Sequence, residues 1–163
     1  MAEILDVGDM LGQAFEPKRK FRWLVAFEGI DGWTCKTAAR PQITFDETVI
    51  DYGNTKRYLA GKASWQPITL TLYDPIVPSA SQKMMEWVRL CYENVTGRMG
   101  YAATYKKASI SLKLLDPIGA VCEEWELQGA WVQDANFGDL DYSVSDPVEV
   151  AITVRFDQAV LLY

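Results

Sequence analysis

The sequence predicts a mainly β protein, an antiparallel β-sandwich or barrel with one flanking α-helix and an extended hairpin arm. Several segments alternate apolar and polar residues with period two, which is typical of strands. Only one long segment, about residues 79–94, has the spacing of an amphipathic helix. Most strands therefore follow one another without an intervening helix, which favours antiparallel pairing. Because the 163 residues contain no repeat or linker, we expect a single domain over 1–163.

The first 40 residues predict an N-terminal arm followed by a hairpin. Residues 1–20 form the arm, which ends in a short basic turn. Residues 21–30 and 33–39 predict two strands, and Asp31-Gly32 between them is a dipeptide typical of tight hairpin turns. Pro41 ends the second strand or keeps it at a sheet edge.

The next segments predict a long strand, a projecting arm and a core strand. Residues 43–52 alternate regularly, and Gly53-Asn54 marks a turn after them. We interpret residues 51–64, which are basic and only modestly apolar, as a projecting hairpin or long loop. Residues 66–73 predict another strand, whose inward side chains are Ile68, Leu70 and Leu72.

Residues 79–94 predict the one long helix. Ser79 followed by Gln82 matches a capping box at its start. Its apolar residues recur on one side at helical spacing and predict docking on a sheet; they are Met84, Trp87, Val88, Cys91 and Val95.

The last third returns to β-structure. Residues 109–115 predict a short strand that Asp116-Pro117 ends. Residues 121–131 alternate, with one face formed by Val121, Glu123, Trp125, Leu127, Gly129 and Trp131. Residues 136–147 predict a polar loop. Residues 148–156 show the clearest period-two pattern, with Val148, Val150, Ile152, Val154 and Phe156 on one face.

Composition argues against several classes of function. The chain has no histidine, which removes Ser-His-Asp and Cys-His catalysis and histidine-ligated zinc. The scattered Cys35, Cys91 and Cys122 predict reduced, mostly buried thiols. A net charge of −6 disfavours binding to phosphates or to anionic membranes. No apolar run is long enough for a membrane anchor, and the first residues lack a signal-peptide pattern, so we expect folding in a cytoplasm.

No motif predicts an enzyme, a metal site or a cofactor. Glu123, Glu124 and Glu126 form the densest acidic cluster, and paired carboxylates can hydrolyse glycosides. Adjacent glutamates on a strand are more often a solvated face, and no partner base accompanies these. The aspartates of the 134–147 loop do not match the spacing of a calcium loop. We therefore predict no catalytic residue, no metal ligand and no cofactor.

The many aromatic residues and one basic, aromatic group favour self-assembly. Six Trp, eight Tyr and six Phe are more aromatic side chains than a core of this size needs, and aromatic residues are enriched at interfaces. The one basic and aromatic group comprises Lys56, Arg57, Tyr58, Lys62 and Trp65. In an acidic chain we expect this group to dock on an acidic neighbour rather than on nucleic acid.

Three segments carry a resemblance to a known protein family; they are residues 35–41 (CKTAARP), 60–74 (AGKASWQPITLTLYD) and 127–131 (LQGAW). In their order around the central helix they resemble the tail tube proteins of contractile-tailed bacteriophages. The resemblance extends from about Phe21 to Val160. Related tubes occur in phage-like bacteriocins and in type VI secretion.

The resemblance implies six subunits per ring, with rings stacked into a hollow tube inside the virion tail. The implied partners are further copies of this chain, the tail sheath, a baseplate or tube initiator and a tail terminator. Assembly would occur in the host cytoplasm. The arm would reach the adjacent ring, which makes candidate inter-ring contacts of Asp51, Tyr52, Asn54, Lys56, Arg57, Tyr58 and Lys62.

The resemblance also implies that DNA passes through the lumen without specific binding. Duplex DNA carries about one charge per 1.7 Å, so an acidic wall repels it and lets it slide. The candidate wall residues are Glu124, Glu126, Glu149 and Asp157. An orientation toward solvent or toward a neighbouring subunit fits these residues equally well, because alternation does not tell which face lines the lumen.

Two other classes of function stay open at this point. The chain could be the tube of a bacteriocin-like particle or secretion system. It could also be a monomeric β-barrel that binds a small ligand or carbohydrate through Trp and Tyr side chains. An enzyme ranks third, and would depend on Glu124 or Glu126.

Overall fold

The computed structural model describes residues 16–27 and 29–163, so residues 1–15 of the N-terminal arm lie outside the described residues. The described residues form two helices, α1 (Ala80–Cys91) and the single turn α2 (Ala102–Tyr105), together with a 3-10 turn at Gly32–Thr34. The strands are β1 (Trp23–Ala26), β2 (Cys35–Ala38), β3 (Ile43–Tyr52), β4 (Thr55–Trp65), β5 (Ile68–Tyr73), β6 (Lys107–Leu115), β7 (Val121–Asn136), β8 (Glu149–Arg155) and β9 (Gln158–Leu161).

Among the described residues, seven strands form one sheet, and β3 with β4 forms a second sheet of its own. The large sheet has the order β1-β6-β7-β8-β5-β2, and β9 also pairs with β7. All these pairings are antiparallel. The predicted fold class, mainly β and antiparallel with one long helix, is confirmed.

Strand β7 bends the large sheet around the core. One edge of β7 pairs with β6, while the other edge pairs first with β9 and then with β8. The bend occurs at Gly129, whose φ of 67° favours glycine. A Cβ at this position would lie 2.2 Å from an Asp157 carboxylate oxygen, so the Asp157 side chain occupies the space beside Gly129.

The bend also changes which side chains of β7 face inward. Leu127 and Ala130 are both buried although they are three residues apart. The period-two alternation predicted for 121–131 is therefore interrupted after Leu127, and Trp131 is only half-buried. A left-handed glycine shifts the alternation by one residue, which periodicity alone does not reveal.

The core lies inside the bent sheet. Ile68, Leu70 and Leu72 of β5 are buried, as predicted. The inward face of the 148–156 segment is likewise confirmed for Val150, Ile152, Val154 and Phe156. Burying a side chain of this size contributes about 1.5–3 kcal/mol, so the alternating strands supply most of the hydrophobic stabilisation.

Helix α1 packs against the core through Ala80, Met84 and Trp87. The Ser79 hydroxyl caps its start by accepting a hydrogen bond from the Gln82 amide at 3.3 Å. The helix ends at Cys91 rather than at Asn94, and Val95, predicted on the apolar stripe, lies beyond the helix and is exposed. No helix in the described part of the chain is long and apolar enough to cross a membrane.

Residues 21–39 do not form the predicted hairpin. Strand β1 pairs with β6 and β2 pairs with β5, so the two lie at opposite ends of the sheet order. The 3-10 turn follows Asp31 and separates them, and the buried Thr34 hydroxyl donates to the Asp31 carbonyl at 2.7 Å. Turn chemistry is local, whereas pairing with β6 buries Val25, and burial decides the outcome.

Candidate assembly interface

The β3–β4 hairpin stands apart from the core. Strand β3 has the bounds predicted for it, and the ribbon continues through β4 to Trp65. The projecting element is longer than the predicted 51–64 arm and includes all of β3, because β3 and β4 form a sheet of their own, separate from the large sheet. It joins the body at Trp65, whose ring lies 6.0 Å from that of Phe156.

All hairpin residues from Ile43 to Ser64 are exposed. A bulge interrupts the pairing between Phe45 and Glu47 and places Gly61 against the Asp46 carbonyl, where a Cβ would be 2.9 Å away. By the register, Phe45, Val49 and Tyr58 share one face. Phe45 is 60% and Tyr58 is 62% exposed, so this face carries an uncovered apolar surface. We refer to it as the hairpin apolar face; its apolar members are Ile43, Phe45, Val49, Tyr58 and Ala60, and Glu47 lies among them.

The candidate inter-ring residues all lie on this hairpin. Asp51 faces Lys56 across the ladder, and Tyr52 faces Thr55 beside the turn at the tip. Lys62 lies at the bulge, closer to the stem. In the described part of the chain none of the seven takes part in an ion pair. They are Asp51, Tyr52, Asn54, Lys56, Arg57, Tyr58 and Lys62.

The candidate lumen carboxylates do not form one cluster. Glu124 and Glu126 lie in the first half of β7. Glu149 lies in β8, beyond the residues of β8 that pair with β7, and Asp157 lies beside Gly129 at the bend. Alternation placed these residues on polar faces but could not show the distance between them.

Three of the four carboxylates pair with lysines of the same chain. Lys113 lies 3.3 Å from Glu124, Lys36 binds Glu149, and Lys106 lies 2.8 Å from Asp157. The Tyr163 hydroxyl also donates to Glu124 at 3.0 Å, and this hydrogen bond is the main cause that lowers the pKa of Glu124. Glu126 alone among the four has no ion pair within the described residues.

Glu123 points inward and binds basic residues from distant parts of the chain. Its carboxylate accepts hydrogen bonds from Lys18, from Arg40 at 2.5 Å and from the Trp125 indole at 2.7 Å. Burial on its own raises the pKa of Glu123, but the hydrogen bonds from Lys18 and Trp125 and the charge of Arg40 outweigh it and lower that pKa. The glutamate ties the end of the N-terminal arm to β7.

These contacts correct two interpretations of the sequence. Residues 17–20 are not simply a solvated turn, because Lys18 reaches the 4% exposed Glu123. The glutamate cluster is not a single solvated face either, since Glu123 and Glu124 lie on opposite faces of β7 and have different cations. The period-two pattern already placed Glu123 and Glu124 on opposite faces of the strand, but it did not indicate which basic residues pair with each of them.

Acidic side chains and cysteines are the groups to consider for metal binding and nucleophilic chemistry. No group of three Cys, Asp or Glu side chains that could hold a metal ion occurs within residues 16–27 and 29–163. Burial raises the pKa of Cys35 to about 11, so its thiol is protonated at neutral pH and is a poor nucleophile. Cys91 and Cys122 are also free thiols.

Open strand edges provide further surface for assembly. In the described sheet β1 and β2 are the terminal strands, and β9 pairs only with β7. Unpaired edges bind other strands readily unless they are covered. The chain therefore has two features that favour association, its open edges and the hairpin apolar face.

The sequence is similar to known proteins of two bacteriophages. No family model matches the chain. The chain is 24% identical over 127 residues to tail tube protein gp19 of Enterobacteria phage T4, which covers 76% of this chain and 77% of gp19. The gp19 protein of Enterobacteria phage T6 matches with the same identity and coverage. These matches show that the chain is a homologue of gp19.

Solved structures share the fold. A chain of the anti-feeding prophage tube-terminating cap superposes with a TM-score of 0.73 and 18% identity, covering 91% of this chain and 93% of the other. A chain of the extended sheath–tube complex of the PVC extracellular contractile injection system gives 0.71 and 16%, covering 96% and 97%. Hcp1 from Flavobacterium johnsoniae gives 0.52 and 11%, covering 87% and 95%.

Proposed function

We propose that this chain, a homologue of the phage tail tube protein gp19, is a structural subunit of the inner tube of a contractile tail. The observation that supports this role best is the separate β3–β4 hairpin with its exposed apolar face. A two-stranded hairpin without a packed face is marginally stable in water. Packing of this hairpin on another subunit would bury the apolar face and stabilise the ribbon.

The β3–β4 hairpin also bears on how the subunits are arranged in the tube. We propose rings of six subunits that stack into a tube, with the hairpin of one subunit reaching the adjacent ring. The seven candidate residues near its tip and bulge would make those contacts. Exposed Tyr52 and Tyr58 supply apolar area, and Lys56 and Arg57 supply charges that select an acidic surface.

The proposed partners outside the tube are the sheath, a baseplate or tube initiator, and a terminator. Structures with this fold come from a sheath–tube complex, a baseplate and a tube-terminating cap, which supports all three. We propose that the chain assembles in the host cytoplasm and becomes part of the virion tail. The role is structural and requires no catalytic step.

DNA would pass through the lumen of such a tube without specific binding. Glu126, which has no ion pair within residues 16–27 and 29–163, supplies a negative charge on the candidate wall, while Glu124, Glu149 and Asp157 are already paired with lysines. The proposed wall is therefore only mildly acidic. A wall of this kind repels phosphates weakly, and the lysines beside it are already neutralised by carboxylates.

Negative-stain electron microscopy and sedimentation velocity across a concentration series test the proposed function. The wild-type protein should form rings or hollow tubes of uniform width. Phe45→Ser with Tyr58→Ser should leave folded monomers, because these changes remove the apolar face. Leu90→Ser with Tyr101→Ser, at exposed positions outside the hairpin, is the matched control and should assemble normally.

Two results would count against the proposal. Wild-type protein that stays monomeric at every concentration, also with a baseplate initiator, would contradict the tube role itself. Wild-type tubes that the hairpin variant forms equally well would retain the tube role but exclude the hairpin as a contact.

A further inference from the structure

A basic cleft lies between the two ends of the bent sheet. It has a volume of about 580 Å³ and is lined by apolar side chains of β1 and β6, namely Trp23, Leu112 and Leu114. The basic residues that line it come from the chain before β1 and from the region of β2; they are Lys18, Arg19, Lys20, Lys36 and Arg40. In a chain with a net charge of −6, this concentration of positive charge is unusual.

Part of this charge is free to bind a partner. Lys18 and Arg40 are engaged with Glu123, and Lys36 is engaged with Glu149. Arg19 and Lys20 are exposed and form no ion pair with any residue in 16–27 or 29–163. The cleft therefore combines apolar walls with two uncompensated cations, which suits an acidic and apolar segment.

The same chain exposes such a segment at the end of β7 and in the connection from β7 to β8. We call residues 134–148 the acidic segment; it contains four aspartates and no Lys or Arg. Leu140 is 84% exposed and Tyr142 is fully exposed. Neither Asp134 nor Asp139 forms an ion pair with a described residue. The segment therefore leaves Leu140 and Tyr142 in water beside these unpaired charges.

Internal hydrogen bonds hold the acidic segment in this conformation. The Asp141 carboxylate accepts from the Ser143 amide and hydroxyl, both at 2.8 Å. The Asn136 side-chain oxygen accepts from the Gly138 amide at 2.9 Å, and Gly138 has a φ of 78°. A preformed segment loses less conformational entropy on binding, so its exposed Leu140 and Tyr142 are suited to serve as anchors.

We propose that the acidic segment of one subunit binds in the basic cleft of a second copy of this chain. This inference rests on the proposed function, and it names one of the contacts between tube subunits. Asp134 and Asp139 would meet Arg19 and Lys20, while Leu140 and Tyr142 would pack against Trp23 and the β6 leucines.

The proposed contact joins two different surfaces of the chain, so it can repeat head to tail from one subunit to the next. Glu149, at the end of the acidic segment, binds Lys36 at the rim of the cleft, so the two surfaces adjoin in each subunit. Each subunit can then insert its segment into one neighbour and receive a segment from another. Contacts between different patches of identical chains generate rings when they close and helical polymers when they do not.

A charge-swap experiment on the full chain tests this contact. The cleft variant carries Arg19→Glu and Lys20→Glu, and the segment variant carries Asp134→Lys and Asp139→Lys. Like charges across an interface oppose association, so each variant should need about tenfold more protein to assemble. The variant with all four changes should assemble at about the wild-type concentration, because the charges are again complementary.

The matched control is Lys83→Glu with Arg98→Glu, which reverses two charges outside the cleft that form no ion pair in the described chain. It should assemble like the wild type. A zero-length carbodiimide cross-link between Lys20 and Asp134 or Asp139 should also form in assembled protein. In a mixture of ¹⁴N- and ¹⁵N-labelled chains, mixed-isotope cross-linked peptides would establish that it joins two subunits.

Several outcomes would overturn the inference while leaving the tube role intact. Wild-type tubes with unaffected cleft and segment variants would show that the two surfaces do not meet. Impaired assembly without recovery in the fourfold variant would have the same meaning. If the cleft variant alone fails, and Asp6→Lys with Asp9→Lys restores it, the N-terminal residues occupy the cleft instead. Failure of the wild type to assemble would contradict the proposed function rather than this contact.

Discussion

At the scale of single residues, Glu123 joins three parts of the chain that are distant in sequence. The buried carboxylate binds Lys18 before β1 and Arg40 after β2, and both cations are about half-exposed. Because solvent screens such cations, the arrangement stabilises less than a fully buried ion pair. Its main effect is to hold the two basic segments beside the cleft.

Replacing this carboxylate should cost stability in a pH-dependent way. We expect Glu123→Gln to lower the free energy of unfolding by about 1–2 kcal/mol at pH 7, because an amide accepts weaker hydrogen bonds from the two cations. The pKa of Glu123 in the folded state is lowered from its ordinary value. Its stabilising contribution is therefore present above the unfolded pKa of about 4.3 and is lost as pH falls through the folded pKa.

Urea denaturation of both proteins between pH 7 and pH 3 measures this effect. The difference in unfolding free energy should shrink toward zero at the acidic end. A difference that stays constant over the whole range would show that lost packing, and not lost charge, causes the destabilisation.

Gly129 makes the bend of β7 possible, and its substitution should reveal the close approach of Asp157. Gly129→Ala adds a Cβ that collides with a carboxylate held by Lys106. Gly119→Ala is the matched control, because Gly119 also has a positive φ but open space around it. The control should lose about 1–2 kcal/mol from the left-handed conformation alone, and Gly129→Ala about 1–2 kcal/mol more. Equal losses in thermal denaturation would mean that Asp157 moves away freely.

At the scale of elements, α1 and the β3–β4 hairpin differ in how they are held. Helix α1 buries Met84 and Trp87, and the Trp87 indole donates to the Tyr105 carbonyl at 2.8 Å. The hairpin has only its stem residue Trp65 against the core. We therefore expect changes in α1 to affect folding and changes in the hairpin to affect assembly.

Trp87 provides a quantitative test of helix docking. Trp87→Ala should destabilise the fold by about 3–5 kcal/mol through the cavity it leaves. Trp87→Phe retains part of the apolar volume but leaves the Tyr105 carbonyl without its donor, so a loss of about 1–3 kcal/mol is expected. Trp33→Phe, at a 65% exposed position, is the control and should be nearly neutral in urea denaturation. Similar losses for both Trp87 variants would show that the hydrogen bond, rather than packing, holds the helix.

At the scale of the whole molecule, the chain is acidic overall but its charges are divided among surfaces. The cleft is basic, the acidic segment is negative, and most candidate wall carboxylates are neutralised within the chain. Contacts between unlike surfaces of identical subunits build closed rings or helical polymers. This charge distribution is consistent with a subunit that assembles with itself.

The proposed lumen role of Glu126 can be tested in assembled tubes. Glu126→Lys should make tubes retain duplex DNA fragments in a salt-dependent manner, because each ring would then present fixed cations to phosphates. Glu86→Lys, on an exposed position of α1, makes the same charge change and should bind no DNA. A filter-binding assay at two salt concentrations measures retention. Equal retention by both variants would place Glu126 outside the lumen.

The sequence by itself determined most of the strands, the faces of β5 and β8, the start of α1 and the tip of the hairpin. Each of these depends on residues close together in the chain, so period-two alternation, a capping serine or a Gly-Asn turn was sufficient. The acidic composition and the lack of histidine also restricted the possible functions, because net charge and the available side chains do not depend on how the chain folds.

Only the tertiary structure decided which strands pair and which charges meet. The Asp31-Gly32 turn suggested a local hairpin, yet β1 lies beside β6 because burial of Val25 there outweighs a turn preference. Strand β9 was missed because it follows β8 without a glycine or proline. Glu123 meets Lys18 and Arg40 only after β7 bends at Gly129 and the ends of the sheet come together. Such contacts join residues far apart in sequence, and alternation within one strand carries no information about its partner.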